Sequence, residues 1–109
     1  MGVDVVLKQV SQPGTSSKRR RLTQLDIVPD ADDVLARICE RSKLPMLSRV
    51  DPYGDLILTA AEMPQFLEEV ETERKLATED QERALLAAVH HLGERCSTEL
   101  CTELHLEGD

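Results

Sequence analysis

The sequence predicts an α+β fold: a small antiparallel sheet containing both chain termini, with about three helices packed on one face. Three observations lead to this prediction. Apolar residues alternate with polar ones near both ends of the chain, over 3–10 and 102–107. Helical apolar patterns and capping residues occupy much of the sequence between them. The length of 109 residues is typical of one domain, so residues 1–109 should share one core.

The first two strands, predicted at 3–10 and 22–28, should form a hairpin because both carry apolar residues on one face. The segment between them, 11–21, begins with turn-forming residues and ends in the basic run Lys18–Arg21. We expect a flexible basic loop there. Its charge suits either a solvated hairpin tip or a contact to an acidic partner.

A helix is predicted from residue 31 to about 43, with Asp30 as its N-cap. The following sequence contains a turn of type I pattern at 51–54, in which Asp51 takes the first position. Segments 46–50 and 55–58 flank this turn, and we expect them to pair as a small hairpin.

Two further helices and the last strand follow. Thr59 and Glu62 form a capping-box pattern before one helical turn, and Pro64 suits the first position of the main helix. Thr78 and Gln81 repeat the capping pattern for the last helix.

Core positions in these two helices follow from helical periodicity. Leu67 and Val70 should face the core while four glutamates face water: Glu68, Glu69, Glu71 and Glu73. In the last helix the predicted stripe is Leu85, Ala88, Val89, Leu92 and Cys96, and Gly93 should fray or end the helix near it. The closing strand should have one wet face, formed by Glu103, His105 and Glu107.

The net charge of −8 is unevenly distributed. Residues 1–55 contain 9 Lys/Arg and 8 Asp/Glu, whereas residues 56–109 contain 4 and 13. This acidic half argues against direct nucleic-acid binding and favours a protein partner with a basic surface. No secretory signal or membrane-spanning apolar run is apparent, and three cysteines suit reduced thiols. We therefore expect a cytoplasmic protein that is not bound to a membrane.

Four features resemble a group of short uncharacterised bacterial proteins: the MG-V-DV start, SRVDPYGD, EMPQFLEEVE and the closing Gly-Asp. The resemblance covers about half of the chain. It implies a small α+β fold and a bacterial origin, and it brings no active site.

Five potential ligands or nucleophiles lie close together in sequence: His90, His91, Cys96, Cys101 and His105. Such residues invite a zinc or thiol enzyme, although they lack the tight pairs of structural zinc sites. The apolar stripe instead favours Cys96 as a core residue. We expect Cys39 and Cys96 to be buried and Cys101 to be accessible.

No phosphate loop, nucleophile elbow or other catalytic motif is present, and no cofactor is expected. The sequence instead favours a small acidic protein-binding module, such as an immunity protein or antitoxin. The alternatives are a metal- or thiol-dependent enzyme using the His/Cys group, and a structural or regulatory subunit. The expected partner-binding residues are Arg49, Asp51, Tyr53 and Asp55 at the turn, with Glu68, Glu69 and Glu71 on the helix.

Overall fold

The computed structural model describes residues 2–11 and 21–108. Its strands are β1 (Val3–Ser11), β2 (Arg21–Val28), β3 (Asp55–Thr59) and β4 (Thr102–Gly108), and its helices are α1 (Val34–Arg41), α2 (Met63–Leu76) and α3 (Asp80–Thr98). Short 3-10 turns occur at Ala31–Asp33, Leu47–Arg49 and Ala60–Glu62. This confirms the α+β prediction. The predicted flexible loop, including the basic residues 18–20, lies outside the described residues apart from its two ends.

The four strands form one antiparallel sheet in the order β2-β1-β4-β3. β1 and β4, which lie near the two ends of the chain, are neighbours in its centre. Val5 of β1 is paired with Leu106 of β4 in their register. The prediction that one sheet contains both terminal strands is therefore confirmed.

One hydrophobic core joins the sheet to the helices. Alternate residues of the central strands point into it, and they meet apolar residues from α1, α2 and α3. The core members include Val3, Val5, Leu7, Leu58, Leu104 and Leu106 from the strands and Ile38, Phe66, Val70, Leu86, Val89, Leu92 and Cys96 from the helices. The opposite face of the sheet is left for polar residues and for an apolar stripe described below.

The predicted hairpin between 46–50 and 55–58 is wrong. Residues 47–49 form a 3-10 turn, and β3 pairs with β4, where Leu58 lies opposite Leu104. The uninterrupted apolar run at 56–58 predicted this strand correctly. It could not identify the partner strand, because an apolar run indicates burial and not which strand lies beside it.

The first helix differs from the continuous one predicted over 31–43. Asp32 and Asp33 have φ angles of 60° and 57°, in the left-handed region, and these interrupt the right-handed helix before α1 begins at Val34. Asp30 still acts as the cap: its carboxylate accepts two amides of the first turn of α1, at 2.8 and 3.0 Å. It also accepts Val3 N at 2.9 Å, so one side chain joins the start of α1 to β1.

The start of α2 agrees with the sequence prediction. Thr59 and Glu62 form the capping box, and Thr59 N donates to Glu62 Oε1 at 3.0 Å. Pro64 lies in the first turn of α2, where its missing amide removes no helical hydrogen bond.

The last helix departs from prediction at both ends. It begins at Asp80 with Glu79 as N-cap, so the expected Thr78 cap is not used. It also continues past Gly93. A Cβ at Gly93 would lie 2.7 Å from Leu67 Cδ2, which shows that glycine here permits close packing of α2 against α3. None of the helices within the described residues is sufficiently long and apolar to cross a membrane.

Candidate protein-binding surface

The structure moves Glu69 from the predicted wet surface to the interior. Its side chain is buried, and its carboxylate accepts Met46 N and Leu47 N, each at 2.9 Å. Gln65 Nε2 donates to the other carboxylate oxygen at 2.9 Å. Glu69 therefore fixes the 3-10 turn that precedes β3, and its burial removes it from the surface that a partner could touch.

Two more glutamates of the acidic half are also buried. Glu73 accepts a hydrogen bond from Ser42 Oγ at 2.9 Å, just after α1 ends. Glu82 pairs with Arg41 at 2.6 Å, and this pairing raises the pKa of the guanidinium. Together with Glu69, these carboxylates attach the connection after α1 to the two long helices. The expectation that Glu73 faces water is therefore wrong.

Other acidic residues remain at the surface. Glu68 is exposed as predicted. Glu71 is half-buried and hydrogen-bonds with Arg74, which lowers the pKa of its carboxyl. Glu79, just before α3, and Glu94 within it are also exposed. The helical half thus retains an acidic surface, although a smaller one than the sequence indicates.

The central turn forms as the sequence predicts. Asp51 Oδ1 accepts Tyr53 N at 2.8 Å, and Gly54 N donates to the Asp51 carbonyl at 3.2 Å. β4 supports the turn from behind, because Gly108 N donates to Gly54 O at 2.8 Å. A Cβ at Gly108 would lie 2.4 Å from Pro52 O, so only glycine permits this contact without a shift.

The turn held by β4 carries a group of exposed side chains. Tyr53 is 68% exposed. Arg49, Asp51 and Asp55 are exposed beside it, and these four residues are called the turn group below. Tyr53 also borders a cavity of about 400 Å³ that Glu40 lines from α1. The turn group spans the 3-10 turn at Leu47–Arg49, the following tight turn and the start of β3, whereas Glu68 and Glu71 lie on α2.

The five His and Cys residues do not converge. Among residues 2–11 and 21–108, no group of three or more His, Cys, Asp or Glu side chains could hold a metal ion. His90 Nδ1 lies 3.2 Å from Glu94 Oε1, and His91 is exposed. His105 is buried in the sheet, 3.1 Å from Glu103 Oε1, which corrects the expectation that it lies on a wet face. The enzyme alternative therefore lacks its proposed constellation.

The cysteines behave largely as their patterns predict. Cys39 and Cys96 are buried and Cys101 is exposed, which confirms the predicted accessibility. Cys101 lies in a turn just before β4, with a φ of 57°, and not on a strand face. Burial raises the pKa of Cys39 to about 12 and also raises that of Cys96. Both shifts disfavour the thiolate that nucleophilic catalysis requires.

The sequence analysis did not predict that Glu69 and Glu73 are buried, although the helical periodicity of α2 indicates it. Glu69 and Glu73 lie on the same side of α2 as the buried residues Met63, Phe66 and Ala77 that precede and follow them. The spacing is that of a core-facing stripe. Glutamate is rarely buried without a partner, and the partners here come from a distant part of the sequence.

Comparisons with family models, with curated proteins and with solved structures find no match to this chain.

Proposed function

We propose that this protein is an acidic protein-binding module whose partner presents a basic surface. The observation that carries this proposal is the fixed exposure of Tyr53 between Asp51 and Asp55. Tyrosine is enriched at binding hot spots because it contributes a large apolar ring and a polar hydroxyl. Adjacent carboxylates favour a partner that carries Lys or Arg.

The charge distribution supports the same proposal. The chain carries a net charge of −8, and Glu68, Glu79 and Glu94 remain exposed on the helical half. Such a field attracts a basic protein over a range of about 10 Å at moderate salt and speeds their encounter. The turn group would then supply short-range contacts that slow dissociation.

The most specific form of this proposal is an immunity protein or antitoxin that works in the cytoplasm. Toxins that act on nucleic acids need basic substrate-binding surfaces, and an acidic protein can cover such a surface. The three free thiols suit a reducing compartment.

The test is a pull-down from the native organism, followed by binding kinetics with the recovered partner. Tyr53→Ala should mainly speed dissociation, because it removes an aromatic contact that the partner buries in the complex. The double variant Glu68→Lys/Glu71→Lys should slow association by about tenfold at low salt and have less effect at high salt.

Arg74→Ala is the matched control for the double variant. It breaks the same Glu71–Arg74 pair but leaves the acidic residues in place, so association should not slow. A partner whose association is unchanged by charge reversal would contradict the electrostatic proposal. If salt, Tyr53→Ala and charge reversal all leave the binding kinetics unchanged, the protein would instead be a structural or regulatory subunit.

A further inference from the structure

The sheet face that lies opposite the helical core, called the outer face, carries a stripe of three aliphatic residues and one histidine across all four strands. The strand registers place Ile27 opposite Val6, Val6 opposite His105, and His105 opposite Ile57. These four residues form one row because residues directly opposite each other share a face. With strands about 4.8 Å apart, the row extends roughly 14 Å.

Exposure differs along this row. Val6 and His105, in the two central strands, are 1% and 4% exposed. Ile27 and Ile57, in the two edge strands, are 38% and 49% exposed. The row therefore has a covered centre with a large exposed aliphatic side chain at each end. Ile27 and Ile57, and not the covered centre, offer apolar contact area to a docking partner.

Carboxylates lie along one side of the stripe. Asp4, Glu107 and Asp55 form the adjacent row, again directly opposite one another in the registers. Like charges in this arrangement repel each other and destabilise a sheet. Lys8 Nζ offsets part of this charge by binding Glu107 Oε2 at 2.7 Å. Asp4 Oδ1 accepts Asp30 N at 2.9 Å, and His105 Nδ1 lies 3.9 Å from Glu107 Oε2. The exposed Asp55 is therefore the carboxylate of this row most available to cations of another molecule.

We propose that the outer face binds a basic amphipathic segment of the protein partner, a proposal that rests on the proposed function. Apolar side chains of this segment contact Ile57 and Ile27, and its Lys or Arg residues face Asp55 and Asp4. Charge complementarity selects this occupant over a second copy of the chain. Two copies would each carry a net charge of −8 and would bring their carboxylate rows together.

The probe is a synthetic peptide with leucines along one helical face and lysines along the other. A scrambled peptide of identical composition controls for charge alone. Binding is measured by titration, and the contacted residues are identified from amide NMR shifts of the intact protein. We expect shifts along the row from Ile27 to Ile57 and binding at least tenfold tighter than that of the scrambled peptide.

Two serine variants separate the outer face from other apolar surface. Ile57→Ser should weaken binding of the amphipathic peptide by about tenfold. Leu76→Ser is the control, because Leu76 on α2 is 67% exposed and so is more exposed than Ile57. It should leave the affinity for the peptide within about twofold of wild type. Thermal unfolding of both variants verifies that they remain folded, and Ile27→Ser provides a second test at the other end of the stripe.

Several results would overturn the proposal. NMR shifts confined to α2 and α3, or equal affinity for the two peptides, would show that the outer face is not the binding site. Equal loss of affinity in Ile57→Ser and Leu76→Ser would do the same. Concentration-dependent dimerisation that Ile57→Ser abolishes would show that a second copy of the chain is the occupant. The recovered native partner separates the two proposals. If wild type captures no partner, the proposed function fails; if Ile57→Ser captures that partner as tightly as wild type, only the outer-face assignment fails.

Discussion

Glu69→Ala should destabilise the fold strongly, although a glutamate on an acidic helix would ordinarily be judged replaceable. The substitution removes the acceptor of two backbone amides, those of Met46 and Leu47, in residues that are themselves buried. A buried donor left without a partner costs about 1–3 kcal/mol. With partial relaxation of the turn, we expect a loss of about 3 kcal/mol in the free energy of unfolding.

Urea unfolding followed by circular dichroism measures this loss. The midpoint should fall while the m-value stays unchanged, because the variant exposes the same surface on unfolding. The melting temperature should fall by on the order of 10 °C or more. Glu69→Gln retains one oxygen that can accept both amides, so it should lose about half as much stability.

Glu68→Ala is the matched control, one position earlier on the same helix and exposed. It should change stability by less than about 0.5 kcal/mol. If Glu69→Ala were as stable as Glu68→Ala, the buried carboxylate would have no structural role. Glu69 would then return to the set of candidate partner contacts.

Four further predictions follow from the capping, the packing and the cysteines. Asp30→Ala should cost about 3 kcal/mol in chemical denaturation, because it uncaps α1 and leaves Val3 N buried without an acceptor, and Asp30→Asn should cost less. Gly108→Ala should lower the melting temperature, since its Cβ would meet backbone atoms of the turn that cannot rotate away. A thiol reagent should label Cys101 rapidly in the native protein and all three thiols in denaturant. The free energy of unfolding should fall as pH rises from about 9 towards 12, and Cys39→Ala should reduce this fall.

The sign of the pH effect follows from the Cys39 thiol. Its pKa is raised from an ordinary 9.0 to about 12, so below pH 9 it is protonated in both the folded and unfolded states. Above pH 9 the unfolded state loses the proton first, and stability decreases until the folded thiol also ionises. Equal alkaline sensitivity in wild type and Cys39→Ala would contradict this assignment. Unchanged stability of Asp30→Ala or Gly108→Ala would contradict the corresponding contacts.

Local signals in the sequence predicted those parts of the fold that local chemistry decides. The capping box at Thr59 and the turn at 51–54 formed as expected, since their hydrogen bonds join residues two or three apart. The pairing of β3 with β4 could not be predicted in this way. Leu58 and Leu104 are distant in sequence, and the short apolar run of β3 would suit any apolar partner strand.

The candidate surfaces show the same division. Exposure of Tyr53 followed from its position in a tight turn, which sequence chemistry identifies well. The outer-face stripe depends on the registers of three strand pairs, so no single segment contains it. The burial of Glu69 could not be predicted, because its carboxylate is stabilised by the backbone amides of residues 46 and 47. These amides come close to α2 only in the folded chain.

The position of β4 has a consequence for how the chain folds during synthesis. β4 follows every other strand in the sequence, yet it lies in the sheet between β1 and β3. Until residues 102–108 have left the ribosome, the β1–β2 hairpin and β3 have no shared strand to join them. The sheet should therefore assemble only after residues 102–108 have been synthesised, and its rate of formation should be limited by closure of long-range contacts. Until then the edges of β1 and β3 that β4 covers in the folded sheet are unpaired and open to pairing with other chains.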